Sequence, residues 1–193
     1  FSYAGSVKGI LYDEQHMLLA KMVEAKTTDQ YIYQYYNGER YESRKMGLTK
    51  GIRNNKAEGQ QLIIDAMSDP FWDIRKTAIS KVGKLKEEFK VKGKDLLLNM
   101  AKNDDKSTVR GACIKYAKKL LTDQEMEELY MNRIENDPSY SVVSSALSSL
   151  GAINPDRAIK LAEELEKERS SSMLSGIGQL YSGFGGEDKG AFF

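Results

Sequence analysis

Three stretches of this chain repeat one another, and their spacing limits the fold more than any other feature. Asp69-Pro70-Phe71-Trp72-Asp73-Ile74-Arg75-Lys76-Thr77-Ala78-Ile79 is matched by Asp104 to Ile114 and again by Asp137 to Leu147. Aligning the three Asp residues puts Ile74, Val109 and Val142 in one column and Ala78, Cys113 and Ala146 in a second. Ile79, Ile114 and Leu147 form a third column, and Val82, Ala117 and Leu150 a fourth. From Asp69 to Asp104 is 35 residues and from Asp104 to Asp137 is 33. A period in this range marks stacked helical repeats.

The columns fall at i, i+4, i+5 and i+8, which is one stripe of a 3.6-residue helix. The second column is always small, so a neighbouring helix can come close there. Asp69 and Asp137 are suited to cap the first turn, and Pro70 and Pro138 to open the helix. Asp69 to Arg75 and Asp104 to Arg110 keep the same six-residue step. This predicts a ladder in which the Asp of one copy meets the Arg of the next. Val143 stands where a third Arg would be, so the ladder is expected to end there. Weaker copies extend the columns both ways: Arg44, Gly47 and Leu48 before, and Gly176, Ile177 and Leu180 after. The expected fold is mainly α, about five helix pairs.

Along the chain, residues 1–26 differ from the rest. Val7 to Tyr12 and Met17 to Val23 read as the strands of a short β-hairpin around Asp13-Glu14-Gln15-His16. A lone hairpin is marginal, so it is expected to pair with strands elsewhere or to pack on the first helices. Thr27 with Gln30 forms a capping box for a helix over 29–36. A second helix covers 39–53 and breaks at Asn54-Asn55, where Asn55 with Glu58 offers another box for 56–67. Helices are then expected over 69–85, 95–102 and 104–121, with Lys84 to Lys94 as a solvated loop or helix end. Thr122 with Glu125 caps a helix to Asn136. Residues 137–150 follow, with Gly151 as the C-terminal cap. Asn154-Pro155 opens the next helix, and 170–181 is its partner. A glycine-rich loop follows from Gly183, and Ala191-Phe192-Phe193 reads as the start of a further helix, so the repeat array is expected to be cut short at its C-terminal end.

The chemistry is notable for what is missing. A zinc peptidase helix needs His-Glu-x-x-His, and this chain has one histidine. His16 reads as an exposed turn residue. The single cysteine, Cys113, fills the small column and reads as a buried apolar residue. No Gly-x-Ser-x-Gly elbow, phosphate-binding glycine loop or Cys-x-x-Cys is present. No catalytic, cofactor-binding or metal-ligating residue is therefore assigned. The formal net charge of +1 argues against nucleic acid or an anionic membrane as the main partner. No apolar run approaches the roughly 18 residues that cross a bilayer, and the chain reads as soluble. On the second helices, Lys76, Lys115 and Lys118 lie off the apolar columns, where a peptide carboxylate could meet them. Overpacking the small column (Ala78→Leu, Cys113→Leu) is expected to cost more than Arg110→Ala, with Arg110 read as partly solvated.

The Asp/Arg helical pairs resemble HEAT-like repeats. The order of Asp13…Leu18-Leu19, Lys26-Thr27, Gln34-Tyr35, Arg44 and then the repeats resembles the C-terminal part of a bacterial zinc aminopeptidase of the aminopeptidase N family. The resemblance implies that 1–26 are the last strands of a β-sandwich and 27–193 a HEAT-like α-α superhelix. It implies a non-catalytic domain that closes over the catalytic domain and shapes the peptide chamber. Zinc would belong to the parent enzyme only, with its catalytic and β-sandwich domains and its peptides as partners. The implied compartment is the bacterial cytoplasm or periplasm. The competing reading is a free-standing HEAT-type scaffold for another protein, which would not need a half-sheet at its start.

Overall fold

The computed structural model describes residues 4–5, 7–11, 13–15, 17–19, 25–53, 56–168, 170–185 and 189. His16, Asn54-Asn55, the hairpin positions Tyr12 and 20–23, and Ala191 to Phe193 lie outside the described residues. Ten α-helices occupy the described chain: α1 Thr28–Asn37, α2 Tyr41–Gly51, α3 Ala57–Ala66, α4 Trp72–Ile79, α5 Glu87–Asn103, α6 Ser107–Tyr116, α7 Asp123–Asn136, α8 Tyr140–Gly151, α9 Pro155–Leu165 and α10 Ser171–Phe184. Short 3-10 turns, Val82–Lys84 and Ala117–Lys119, continue α4 and α6. The fold is thus mainly α, as the periodicity predicts.

The chain divides into two compact units, Phe1–Lys92 and Gly93–Phe193, with the boundary inside α5. In the first unit α2 and α4 pack side by side, and α1 and α3 back them. In the second, α8 is central: α6 and α10 flank it in one layer, and α7 and α9 back it from the other. Within each unit consecutive helices are joined by short loops and pack on one another, which is how amphipathic stripes bury one another.

The columns are the core. Ile74, Val109, Val142, Ala78, Cys113, Ala146, Ile79, Ile114, Leu147, Val82, Ala117 and Leu150 are all at most 1% exposed. The weaker copies obey the same rule, with Leu48, Ile177 and Leu180 buried. The small column is at close helix contacts. A Cβ on Gly47 would sit 2.6 Å from the backbone N of Tyr35 and 2.7 Å from the carbonyl O of Tyr31 in α1. A Cβ on Gly176 would meet Ser144 Oγ of α8 at 2.0 Å.

Three local expectations need correction. The second helices start later than expected, after Phe71, Lys106 and Ser139, none of which caps with its own side chain. Asp69, Asp104 and Asp137 lie two residues earlier and close an Asx turn instead, accepting from Phe71 N at 2.8 Å, Lys106 N at 3.0 Å and Ser139 N at 2.9 Å. Pro70 and Pro138 stand inside these turns rather than in the first helical turn, and a residue before proline is held extended. Gly151 is the last residue of α8 rather than its cap, and a Cβ there would lie 2.4 Å from Leu180 Cδ1, so that side chain would have to shift. The charged stretch from Glu87 is the first half of α5, since Lys and Glu are good helix formers and Lys90 pairs with Glu87 at 2.6 Å across one turn.

The expected hairpin is not seen among the described residues. None of its described residues is in a strand. Asp13 has φ 46°, and its carboxylate accepts from Met17 N at 2.9 Å and Leu18 N at 3.0 Å. Those amides are therefore taken by a side chain and not by a neighbouring strand. Both bonds of the expected Thr27/Gln30 and Thr122/Glu125 boxes form, and Asn154 Oδ1 accepts from Arg157 N at 3.2 Å with Pro155 opening α9. By contrast, α3 has Lys56 at its N-cap, with no side-chain cap bond, and Asn55 of the expected Asn55/Glu58 box lies outside the described residues.

Candidate functional site: buried Arg–Asp pairs and exposed lysines

The six-residue step has a different meaning from the one expected. Arg75 Nη1 donates to the carbonyl O of Asp69 at 3.0 Å, and Arg110 Nη1 to that of Asp104 at 2.8 Å. The guanidinium thus straps the loop that precedes its own helix. Its other nitrogens reach forward. Arg44 Nε and Nη2 donate to the Asp69 carboxylate at 3.1 and 3.4 Å. Arg110 Nε and Nη2 donate to the two Asp137 oxygens, each at 2.8 Å. So the Arg of one copy meets the Asp of the next, the reverse of the expected direction.

Two members were missed. Tyr35 OH donates to Asp69 Oδ2 at 3.1 Å, and Arg133 Nη1 reaches Asp137 Oδ2 at 3.5 Å and the Lys102 carbonyl at 3.2 Å. The Arg133/Asp137 spacing of i, i+4 was the readable signal. Tyr35 left none, because its partner lies in another helix pair. The side chains of Arg110 and Asp137 are 8% and 0% exposed. Burial pushes the Asp137 carboxyl up, but the Arg110 and Ser139 N–H donors and the charges of Arg110 and Arg133 outweigh it and hold the group below the usual carboxylate range. The same bond to Asp137 raises Arg110 further. These are fully satisfied structural charges, locked in their resting states.

A Tyr–Lys–Asp trio lies at the start of α2 and α4. Tyr41 OH donates to Asp73 Oδ2 at 2.6 Å, while Lys45 Nζ donates to Tyr41 OH at 2.5 Å and to Asp73 Oδ2 at 2.7 Å. The rings of Phe71 and Tyr41 are 4.5 Å apart at their centroids. The hydrogen bond to Asp73 raises Lys45, and that from Lys45 lowers Asp73. Burial, then the bond to Asp73, raises the Tyr41 phenol. Each group is therefore held in the protonation state it has at neutral pH, which is the opposite of what acid–base catalysis needs.

The three lysines are all exposed. Lys76, in the first unit, has Nζ 5.7 Å over the Trp72 ring. Lys115 and Lys118 are in the second unit, with Lys115 Nζ 5.8 Å over Tyr116. A cleft of about 300 Å³ in the second unit is lined by Gln124, Glu127, Glu128, Met131 and Arg157. Its carboxylates are engaged: Glu127 by Arg157 at 2.9 Å and Asn154 at 3.2 Å, and Glu128 by Gln124 at 3.2 Å. Among the described residues no group of three or more His, Cys, Asp or Glu could hold a metal ion, and no helix is long and apolar enough to cross a membrane.

What the fold and these groups define is a class: paired helices tied by buried Arg-to-Asp bonds, with polar outer faces. No protein-family model matches the chain, and no curated protein matches it.

Proposed function

We propose that this chain is the non-catalytic C-terminal region of a zinc aminopeptidase of the aminopeptidase N type. In this reading residues 27–193 form a HEAT-like helical domain that closes over the catalytic domain and shapes the peptide chamber. Residues 1–26 carry the end of the preceding β-sandwich. The observation that supports it most is the packing of consecutive helices within each unit, with small residues at the contacts and Arg-to-Asp bonds between copies. The exposed apolar residues Val7, Ile10, Met17, Leu18 and Leu19 fit a segment that finishes a sheet belonging to another domain. Zinc and the residues that hold it belong to the parent's catalytic domain, and this chain supplies none of them.

The test is the reading frame upstream of Phe1. It encodes His-Glu-x-x-His with a downstream Glu in this reading, and the full-length product removes N-terminal residues from peptides in a zinc-dependent way. A reading frame without that motif, or a product without aminopeptidase activity, overturns the proposal. The second reading is a free-standing protein-binding scaffold. It is favoured by the polar outer faces of α6 and α8, with Thr108, Lys115, Ser141 and Ser145 exposed.

A further inference from the structure

The start of α4 presents aromatic rings where a helix ordinarily carries a small polar group. Phe71, the residue before α4, makes no side-chain cap bond. Ser, Thr, Asp or Asn would satisfy a first-turn amide there. The matching positions in the other copies are Lys106 and Ser139. Phe71 is 36% exposed, so it serves the core only in part. Its ring touches two others. The Tyr41 ring is 4.5 Å away between centroids at an interplanar angle of 53°, and the Trp72 ring 6.0 Å away at 33°. Three rings thus run across the starts of α2 and α4, all within the first unit.

The polar groups along this row are unequal. On the Tyr41 side they are spent on one another. Tyr41 OH donates to Asp73 Oδ2 at 2.6 Å, and Lys45 Nζ donates to Tyr41 OH and to Asp73 Oδ2. On the Trp72 side two donors remain. Among the described residues, Trp72 Nε1 and Lys76 Nζ have no hydrogen-bond acceptor. Lys76 Nζ lies 5.7 Å over the Trp72 ring and meets no carboxylate there. The row therefore offers apolar rings, an indole N–H and one uncompensated positive charge. A ligand that fits it brings flat apolar groups, carbonyl acceptors and a negative charge. It also brings few N–H groups of its own, because an N–H covered without an acceptor is costly.

A proline-rich segment has this chemistry. Proline has no N–H, and in the polyproline II conformation the carbonyls are not used internally. Two residues of that helix rise about 6 Å, which matches the 6.0 Å between the Phe71 and Trp72 rings. Aromatic-lined surfaces favour such segments because their conformation is set before binding. We propose that Tyr41, Phe71 and Trp72 form a docking surface for a proline-rich segment of another protein that carries an acidic residue. Prolines rest on the rings, a backbone carbonyl accepts from Trp72 Nε1, and the carboxylate accepts from Lys76 Nζ. The bonds among Tyr41, Lys45 and Asp73 hold the Tyr41 ring in place, so the row is formed before the segment arrives. The surface belongs to the first unit alone and is present under either functional reading.

Trp72 is the only tryptophan of the chain, so its fluorescence reads the site directly. Three peptides without Trp or Tyr are titrated into the intact chain: a polyproline peptide with one Glu, the same peptide with Gln for Glu, and an alanine-based peptide that keeps the Glu. The first is expected to give a saturable change. The Gln peptide is expected to bind roughly two- to fivefold more weakly, the range of an exposed ion pair, with the difference shrinking at high salt. The alanine peptide is expected to bind at least about tenfold more weakly, since its ordering opposes binding. Lys76→Gln, at an exposed position, is expected to abolish the Glu/Gln difference, and Phe71→Ala to weaken both proline peptides. Thermal melts followed by circular dichroism confirm that each variant is folded. The proposal is overturned if the Glu peptide gives no saturable change up to about 1 mM. It is overturned equally if the alanine peptide binds as well or better, which would mark a merely acidic partner, or if the Glu/Gln difference survives Lys76→Gln.

Discussion

Arg110 and Asp137 form a two-pronged ion pair in which both N–H···O distances are 2.8 Å and the carboxylate side chain has no exposed surface. Asp137 also holds the turn that opens α8 through Ser139 N, at 2.9 Å. One carboxylate thus fixes a loop and a helix-to-helix register together.

Breaking that pair from one side leaves a buried charge. Arg110→Ala is expected to destabilise by about 3–5 kcal/mol, the range for a buried pair that loses one partner. This reverses the order expected from sequence, because Arg110 is buried rather than partly solvated. Arg44→Ala is expected to cost less, about 1–3 kcal/mol, since its side chain is 19% exposed and its bonds to Asp69 are longer. Urea midpoints of the two variants check the order.

The pH dependence follows from the depressed Asp137 carboxyl. The unfolded group titrates near about 3.9, so its contribution is fully present above that value. It is lost as pH falls from there through the lower folded value. Asp137→Asn is therefore expected to flatten the acid side of the stability curve, measured by urea unfolding between about pH 2 and 6.

The small column sets helix spacing. Gly176→Leu, Ala78→Leu and Cys113→Leu are each expected to cost about 1–3 kcal/mol by overpacking. Gly111→Ala serves as the control, because nothing lies within 4 Å of a Cβ there. It is expected to be neutral or stabilising by up to about 1 kcal/mol in a thermal melt.

Cys113 is buried, and that burial pushes its thiol well above the ordinary range. A thiol reagent is expected to leave it unmodified in the native chain and to label it fully in urea. Rapid labelling of the native chain would mean that the α6 contact opens locally.

The lysines give the functional prediction. Under the proposed aminopeptidase reading, Lys115→Ala with Lys118→Ala in the full-length product is expected to raise KM for peptides of several residues, by less at high salt, and to leave single aminoacyl amides unchanged. Equal effects on both substrates would remove the peptide-facing role.

The columns were legible because burial imposes one stripe on every copy, and Ile74, Val109 and Val142 could hardly be anything else. The direction of the Arg–Asp bonds was not. A six-residue step from Asp69 to Arg75 describes a strap on the local carbonyl as well as it describes a ladder, and only packing decides between them. Helix starts slipped by three residues because an Asx turn and an N-cap use the same Asp. The bond from Arg40 N, at the start of α2, to Glu14 Oε1 was unreadable for another reason: a contact supplied from 26 residues away leaves no local pattern. The lysine faces were legible as exposed, and Lys76 proves to lie in a different unit from Lys115 and Lys118.

The Asx turns carry a consequence for how such a chain can vary in length. At Asp69 and Asp137 the same carboxylate that shapes the turn also receives an arginine from the preceding helix pair. One residue inserted between Asp137 and Ser139 would rotate the start of α8 and pull the carboxylate off Arg110 at once. These turns are therefore fixed in length by a contact made elsewhere. Insertions and deletions accepted during divergence are expected instead in the connector at 152–153, which holds neither an arginine strap nor a carboxylate, whereas at 166–168 the Glu166 and Glu168 carboxylates accept from Tyr181 OH and Tyr140 OH.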